Sequence, residues 1–338
     1  MPVYPFFLPH SGCPHRCIFC DQHQVSGRSR APTPAEVARQ LTSWLPACGG
    51  GEVAFYGGSF TLLPAALQEA YLEAVRPFLA AGRAAGVRVS TRPDAVDGAT
   101  VDRLAEAGTT TVELGCQSFS DAVLAASRRG HDAAAAARAV PLLRSHGLAV
   151  GLQLLPGLPA GDAAEARASL AAALALRPGF LRIYPALVLP GTELAELWRR
   201  GDYRPFTLEE AVECCADLLA ASLQAGVPVI RTGLQGNERL DLGTGILAGP
   251  HHPAFGQLVR ARLWRRALSA LQREDAATSV RVPRAELSDA IGHGRDNLLY
   301  FQRCGRPLIL VPDPGLPPGT LLFGGRKTGL LGAARGRE

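Results

Sequence analysis

Lysine is almost missing from this chain of 338 residues: Lys327 stands alone, and arginine supplies the rest of the basic charge. The bias toward arginine is compositional first, and a solvated arginine-rich face is its ordinary meaning. No apolar run approaches the roughly 20 residues that cross a bilayer, which excludes a membrane-spanning helix and a membrane partner. The stretch Pro2–Leu8 is apolar but short and carries no basic leader, so it reads as a buried strand and not a signal peptide. Cysteine numbers eight, too sparse at this length for a disulfide scaffold, and such usage suits a reducing, cytoplasmic setting.

Apolar residues are abundant, 47% against 19% charged, enough for one large α/β barrel or two ordinary domains. Strand and helix signals alternate through the first two-thirds, with no internal sequence repeat beyond that unit. Val3–Leu8, Glu52–Tyr56, Val87–Thr91, Thr110–Leu114, Leu148–Leu155 and Phe180–Pro185 read as strands. Thr33-Pro34-Ala35-Glu36 is a capping box with proline at the first helical position. Helices are expected over about Pro64–Ala81 and Ala163–Leu176, and Thr100 is expected to cap one that stops at Gly108. This rhythm predicts a parallel sheet with helices outside, a partial (β/α)6 barrel of the TIM type. Beyond residue 190 the rhythm changes. A second capping box, Thr207–Glu210, opens a helix with an apolar stripe through Leu208, Ala211, Val212, Cys215, Leu218 and Leu219, and Val227–Ile230 reads as a short strand. The expected division is a barrel with its following helices over 1–235 and a small basic C-terminal extension over 236–338, with a soft boundary near Pro250.

Charge is uneven. From His251 to Glu338 fourteen basic side chains stand against seven acidic ones, whereas the preceding residues are nearly neutral. Such a region hints at an anionic partner, RNA first. Gly292–Asn297 opens a helix there, and its amides could hold a phosphate, although an ordinary turn and cap is the favoured reading.

Every unusual polar or glycine-rich word falls just after a strand: His10–Cys20, Gly57–Phe60, Ser90–Asp94, Gly115–Ser118, Gln153–Gly157 and Tyr184-Pro185. In a βα barrel those strand ends share one face, so the words converge on one mouth. The first word holds Cys13, Cys17 and Cys20 at spacing C-x3-C-x2-C, with no fourth cysteine nearby. Three thiolates can hold three irons of a [4Fe–4S] cube and leave the fourth iron open; with His10, His15 or His23 they could instead make a Cys3His zinc site in a non-catalytic RNA-binding protein. Convergence at a barrel mouth favours the cube. His10 and His15 read as hydrogen bonders beside a metal, His131 as a helix cap, and His251-His252 as loop residues. Cys48, Cys116, Cys214, Cys215 and Cys304 lack partner spacing, so no second cluster is expected. Tyr184 reads either as a wall of the substrate mouth or as a core tyrosine.

The cysteine spacing, with aromatic Phe19 before the last cysteine, resembles the signature of the radical S-adenosylmethionine (radical SAM) superfamily. Longer words resemble its Elongator catalytic-subunit-like branch over roughly residues 3–235. They are Phe6–His10, Phe55–Phe60, Ser90–Asp94, Glu113–Ser118, Arg129-Gly130-His131, Leu154–Pro159, Arg182–Pro185 with Gly191-Thr192, and Gly201–Pro205. The resemblance implies an enzyme in which one [4Fe–4S] cluster on Cys13, Cys17 and Cys20 cleaves SAM to a 5′-deoxyadenosyl radical that abstracts hydrogen from a substrate. It implies a SAM site of Gly57, Gly58, Ser59, Ser90, Gln117, Arg129 and Gln153, with Arg129 forking onto the methionine carboxylate. The relative that oxidises coproporphyrinogen carries a glutamate and an aspartate where this chain has Ser90 and Gln153, so those two contacts here are neutral. No side chain is assigned to the hydrogen transfer itself. The implied partners are an electron donor such as flavodoxin or ferredoxin and a tRNA base, with a small metabolite such as a tetrapyrrole as the competing substrate. No stretch after residue 235 matches the branch's acetyl-CoA-dependent acetyltransferase domain.

Overall fold

The computed structural model describes residues 1–14, 16–234, 245–274 and 278–334. His15 lies outside the described residues. The chain forms two compact units: 1–206 with 227–251, and 207–226 with 252–338. These are not the two consecutive pieces of sequence expected.

The first unit is built on seven parallel strands that hydrogen-bond in chain order and form a curled half-barrel. They are β1 (Val3–Phe7), β2 (Glu52–Tyr56), β3 (Gly86–Thr91), β4 (Thr109–Gln117), β5 (Ala149–Leu154), β6 (Phe180–Ile183) and β7 (Val229–Thr232). The seventh is the short strand that the sequence set apart from the six of the barrel. Parallel neighbours need crossovers, and those between β1 and β6 carry α1 (Gln22–Ser26), α2 (Pro34–Trp44), α3 (Ala65–Ala80), α4 (Gly98–Glu106), α5 (Asp121–Ala126), α6 (Ala134–Ser145) and α7 (Ala163–Ala175). With helices on one face and the barrel interior on the other, the strands are buried on both, hence runs such as Val53-Ala54-Phe55 and Val150, Leu152, Leu154. A further helix, α8 (Glu193–Arg199), capped by Thr192, was not anticipated.

Local chemistry sets the helix ends. The Thr33 hydroxyl accepts the Glu36 amide, and the Glu36 carboxylate accepts the Thr33 amide at 2.8 Å. The helix expected from Thr100 starts earlier, because the Asp97 carboxylate accepts the Thr100 amide at 2.8 Å and draws Gly98–Glu106 into the helix. At α6 the capping carboxylate belongs to Asp132, which accepts the Ala135 amide at 2.9 Å, so His131 is not the cap.

The second unit packs α9 (Leu208–Gln224) with α10 (Phe255–Glu274). Arg262 of α10 pairs with Glu209 and Glu213 of α9, and Arg266 with Glu213 and, at 2.8 Å, Asp217. These pairs, with the buried Ala211, Val212, Cys215 and Leu218 of α9 and Trp264 of α10, tie α9 to the later segment. Leu208, at the start of the stripe, is exposed. Two short helices, α11 (Leu287–Ile291) and α12 (Asp296–Arg303), follow. A four-stranded sheet completes the unit, in the order β11 (Arg326–Gly329), β10 (Thr320–Phe323), β8 (Ser279–Pro283), β9 (Ile309–Asp313).

Gly292–Asn297 forms an ordinary turn. Asp296 occupies the first turn of α12 and would repel a phosphate, and the Asn297 amide is spent on the carbonyls of Ala261 and Ala290. Part of the basic charge of this unit is paired within it: Arg260 with Asp289, Arg265 with Asp296, Arg281 with Asp313.

Candidate active site at the mouth of the half-barrel

The cysteine loop leaves β1 at its carboxyl end and folds onto the loop that leaves β2. The Leu8 amide donates to the Tyr56 carbonyl at 2.7 Å, the Gly58 amide to Leu8 at 3.0 Å, and the Ser59 amide to Ser11 at 2.9 Å. Two glycines permit this contact. A Cβ on Gly58 would lie 1.9 Å from the Ser11 carbonyl oxygen, and one on Gly12 would lie 2.3 Å from that of Ser59. The Gly58 amide is thus already used, which leaves carbonyl oxygens rather than amides as what Gly57-Gly58 can offer an ammonium group.

Cys13, Cys17 and Cys20, Gly57, Gly58 and Ser59, Ser90, Gln117, Arg129 and Gln153 all line one cavity of about 540 Å³. Strand register brings the distant members together: Ser90 pairs with Glu113, Gly115 with Gln153, and Gln153 with Arg182. A break in register between Gly115 and Gln117 accompanies a positive φ of 71° at Gln117. Such a bulge re-aims a side chain at a barrel rim, and the Gln117 carbonyl oxygen of the side chain lies 3.5 Å from the Gln153 amide nitrogen. A Cβ on Gly115 would approach Gln117 Nε2 to 2.8 Å and Arg129 Nη2 to 3.1 Å, so those two side-chain ends would have to shift.

Arg129 ties the wall to the cysteines. Its Nη2 donates to the Gly115 carbonyl at 2.6 Å and its Nη1 lies 3.5 Å from Cys17 Sγ. Cys13 Sγ is 3.6 Å from the Ser59 hydroxyl. Among the described residues no three His, Cys, Asp or Glu side chains are placed to hold a single metal ion. Cys13, Cys17 and Cys20 bring three thiols to this cavity, the donor set of a [4Fe–4S] cube with one open iron. Burial, with the neighbouring Cys17 and Cys13, pushes the Cys20 thiol up to about 12, so metal binding there must displace a proton. Burial, followed by the charge of Arg16, lowers His10. His10 Nε2 accepts the Gln22 amide at 3.0 Å and its own amide donates to the Gln22 side chain, so this histidine braces the loop. His251 and His252 sit in a loop, and the His252 ring nitrogen accepts the Ala254 amide at 3.0 Å. Cys116, Cys214 and Cys215 are buried, Cys48 and Cys304 exposed.

The floor of the cavity holds residues that sequence reasoning did not assemble. Glu113 accepts from Tyr56 at 3.1 Å, Arg88 at 2.7 Å and Arg182 at 3.0 Å. Arg182 also donates to the hydroxyls of Tyr56 at 2.9 Å and Tyr184 at 3.0 Å, and Arg88 pairs with Glu52. Burial raises both tyrosines, so they stay protonated. The available signal was a charged residue at an inward position of an otherwise apolar strand: Glu113 in β4 and Arg182 in β6. Tyr184 is a cavity wall with a satisfied hydroxyl, which unites the two readings of it.

Residues 7–170 match the radical SAM superfamily and residues 178–265 the radical SAM C-terminal domain. The tRNA uridine(34) acetyltransferase of Methanocaldococcus infernus is 36% identical over 135 residues, which are 39% of this chain and 25% of that protein. The Elongator complex protein 3 of Homo sapiens is 32% identical over 138 residues, 40% of this chain and 25% of that protein. The aligned stretch thus spans about a quarter of these relatives and lies in their radical SAM region. The solved structure of the archaeal Methanocaldococcus infernus Elp3 with an N-terminal deletion shares the fold, with a TM-score of 0.60 at 24% identity over 79% of this chain and 63% of that one. So does coproporphyrinogen III oxidase from Escherichia coli, at 0.51 and 17% over 67% and 53%. Family members use a [4Fe–4S] cluster and SAM, and the reading as a non-catalytic zinc protein is set aside. This chain belongs to the radical SAM superfamily of enzymes, and its radical SAM region is similar to that of Elongator protein 3 and the tRNA uridine(34) acetyltransferases.

Proposed function

We propose that this chain is a radical SAM enzyme that modifies a base of RNA, tRNA first, with Cys13, Cys17 and Cys20 holding one cluster and Gly57, Gly58, Ser59, Ser90, Gln117, Arg129 and Gln153 lining the SAM site. The observation that carries this reading is that these ten residues, contributed by five strand ends and a distant arginine, line one cavity. When bound, the cluster and SAM supply the electron and the 5′-deoxyadenosyl radical for hydrogen abstraction. The chain's own task is positioning. Carbonyl oxygens at Gly57-Gly58 face an ammonium group, and the Arg129 guanidinium faces a carboxylate. Apolar walls at Phe7, Phe19 and Leu155 keep water out.

The relatives' names point to tRNA, and the charge of the floor supports a base over a tetrapyrrole. Arg182 is already matched by Glu113, so this part of the lining offers the hydroxyls of Tyr56 and Tyr184 rather than a free cation for a carboxylate. The test is anaerobic reconstitution followed by turnover with SAM and a strong reductant, with and without bulk tRNA. Release of 5′-deoxyadenosine that rises with tRNA, together with a changed nucleoside in the digested RNA, is expected. Failure to bind tRNA at low salt removes the RNA reading and leaves the small metabolite.

A further inference from the structure

A second cavity, also of about 540 Å³, lies in the first unit and shares Pro5 and Phe7 with the first. Both shared residues lie on β1, which pairs only with β2 and so forms the open edge of the half-barrel. Pro5 has no amide to offer another strand, so this edge is blunted against sheet extension but remains accessible. The new cavity is lined by Arg28, Arg30, Arg39, Glu36, Gln40, Ser43 and Trp44 among others, three arginines against one glutamate. That glutamate is committed. Its carboxylate takes both Arg30 nitrogens, at 2.7 and 2.6 Å, and the Thr33 amide. Arg28 and Arg39 are exposed, and neither guanidinium has an ion-pair partner among the described residues. Trp44 is 38% exposed, its ring 5.4 Å from that of Phe6, so a face of the indole is braced from behind. By contrast, Arg260, Arg262, Arg265 and Arg266 of the basic C-terminal stretch are each paired with a carboxylate.

We propose that this second cavity seats one nucleotide of single-stranded RNA, next to the nucleotide that enters the main cavity. Arg28 and Arg39 take its phosphodiester, and Trp44 stacks on its base. The inference rests on the RNA reading above and adds where the strand runs: across the edge of β1, over Pro5 and Phe7, into the half-barrel. Unpaired guanidiniums beside a supported aromatic face are what a single strand requires, a charge for the backbone and a π surface for the base.

The experiment measures tRNA affinity as a function of salt for the full chain with its cluster loaded. Each phosphate contact on a single strand contributes about 0.7 to the slope of log K against log salt, so Arg28→Gln/Arg39→Gln, which frees the one phosphodiester they share, is expected to flatten the slope by about 0.7 and to leave iron content and melting temperature unchanged. Trp44→Ala should weaken binding about tenfold with little change in slope. Removal of two exposed arginines elsewhere, Arg76→Gln/Arg138→Gln, should leave the slope near that of the parent. Cross-linking from RNA carrying 4-thiouridine should mark the peptide that contains Trp44. If the parent chain binds no RNA at low salt, the RNA reading falls and this site with it. If the parent binds and the Arg28/Arg39 variant keeps its affinity and slope, the site alone is wrong.

Discussion

Arg129 is held by two acceptors of different kinds, the Gly115 carbonyl and the Cys17 sulfur, which orient its guanidinium across the cavity. Lysine has the charge but a single tetrahedral nitrogen, so it cannot keep the wall contact and also present a fork to a carboxylate. Arg129→Lys should therefore weaken SAM binding about tenfold while iron stays at about four per chain. Equilibrium binding of SAM to the reconstituted protein reads the first and metal analysis the second. Unaltered SAM affinity would remove Arg129 from the site. The cysteines were legible because their signal is local, a fixed spacing after a strand, whereas Arg129 was reached only through the family resemblance. Glu113 and Arg182 lie 69 residues apart and meet only through register, so no spacing in the chain announces their pair.

At the scale of elements, the site depends on two loops lying flat on one another. The Gly58 Cα sits where a methyl group would strike the Ser11 carbonyl at 1.9 Å, and backbone cannot swing aside as a side chain can. Gly58→Ala should part the cysteine loop from the β2 loop, at a cost of about 1–3 kcal/mol, typical of forcing extra atoms into packed structure. Iron retention should drop in the same variant. Gly98→Ala, at the start of α4 with open space around it, is the control that should change neither. A lower melting temperature with full iron content would show that the two loops are not coupled. Strand order was readable because each β1–β6 segment carries a β-prone apolar run and each glycine-rich word follows one. The helix starts that were misjudged, at Asp97 and Asp132, turn on which of several nearby side chains reaches an amide first, a choice that only the folded backbone makes.

The whole molecule joins sequence segments that the chain keeps apart. Capping and periodicity revealed α9 as a helix but not its allegiance, because its ion pairs reach Arg262 and Arg266 some 50 residues on. Each unit has a carboxylate held by arginine, Glu52 by Arg88 and Glu213 by Arg262 and Arg266, and this sets how stability varies with pH. Burial alone would raise Glu52, but hydrogen bonds from Thr111, Arg88 and Thr110 outweigh it and hold the carboxyl below its usual range. In the second unit burial is likewise opposed at Glu213, first by the hydrogen bond from Arg266, then by the charges of Arg266 and Arg262. A depressed folded value means that the folded state binds fewer protons than the unfolded chain as pH drops. The stabilisation is then complete above the unfolded carboxylate value of about 4.3 and is lost as pH falls through the folded one. Melting temperature should stay flat from pH 8 to about pH 6 and decline steeply below about pH 5. Glu52→Gln should lower the plateau, because Arg88 keeps one buried partner fewer, and should soften the acid decline, because a titrating group is gone. A parent chain whose melting temperature is unchanged between pH 7 and pH 4 would mean that these arginines do not lower the carboxylates they hold.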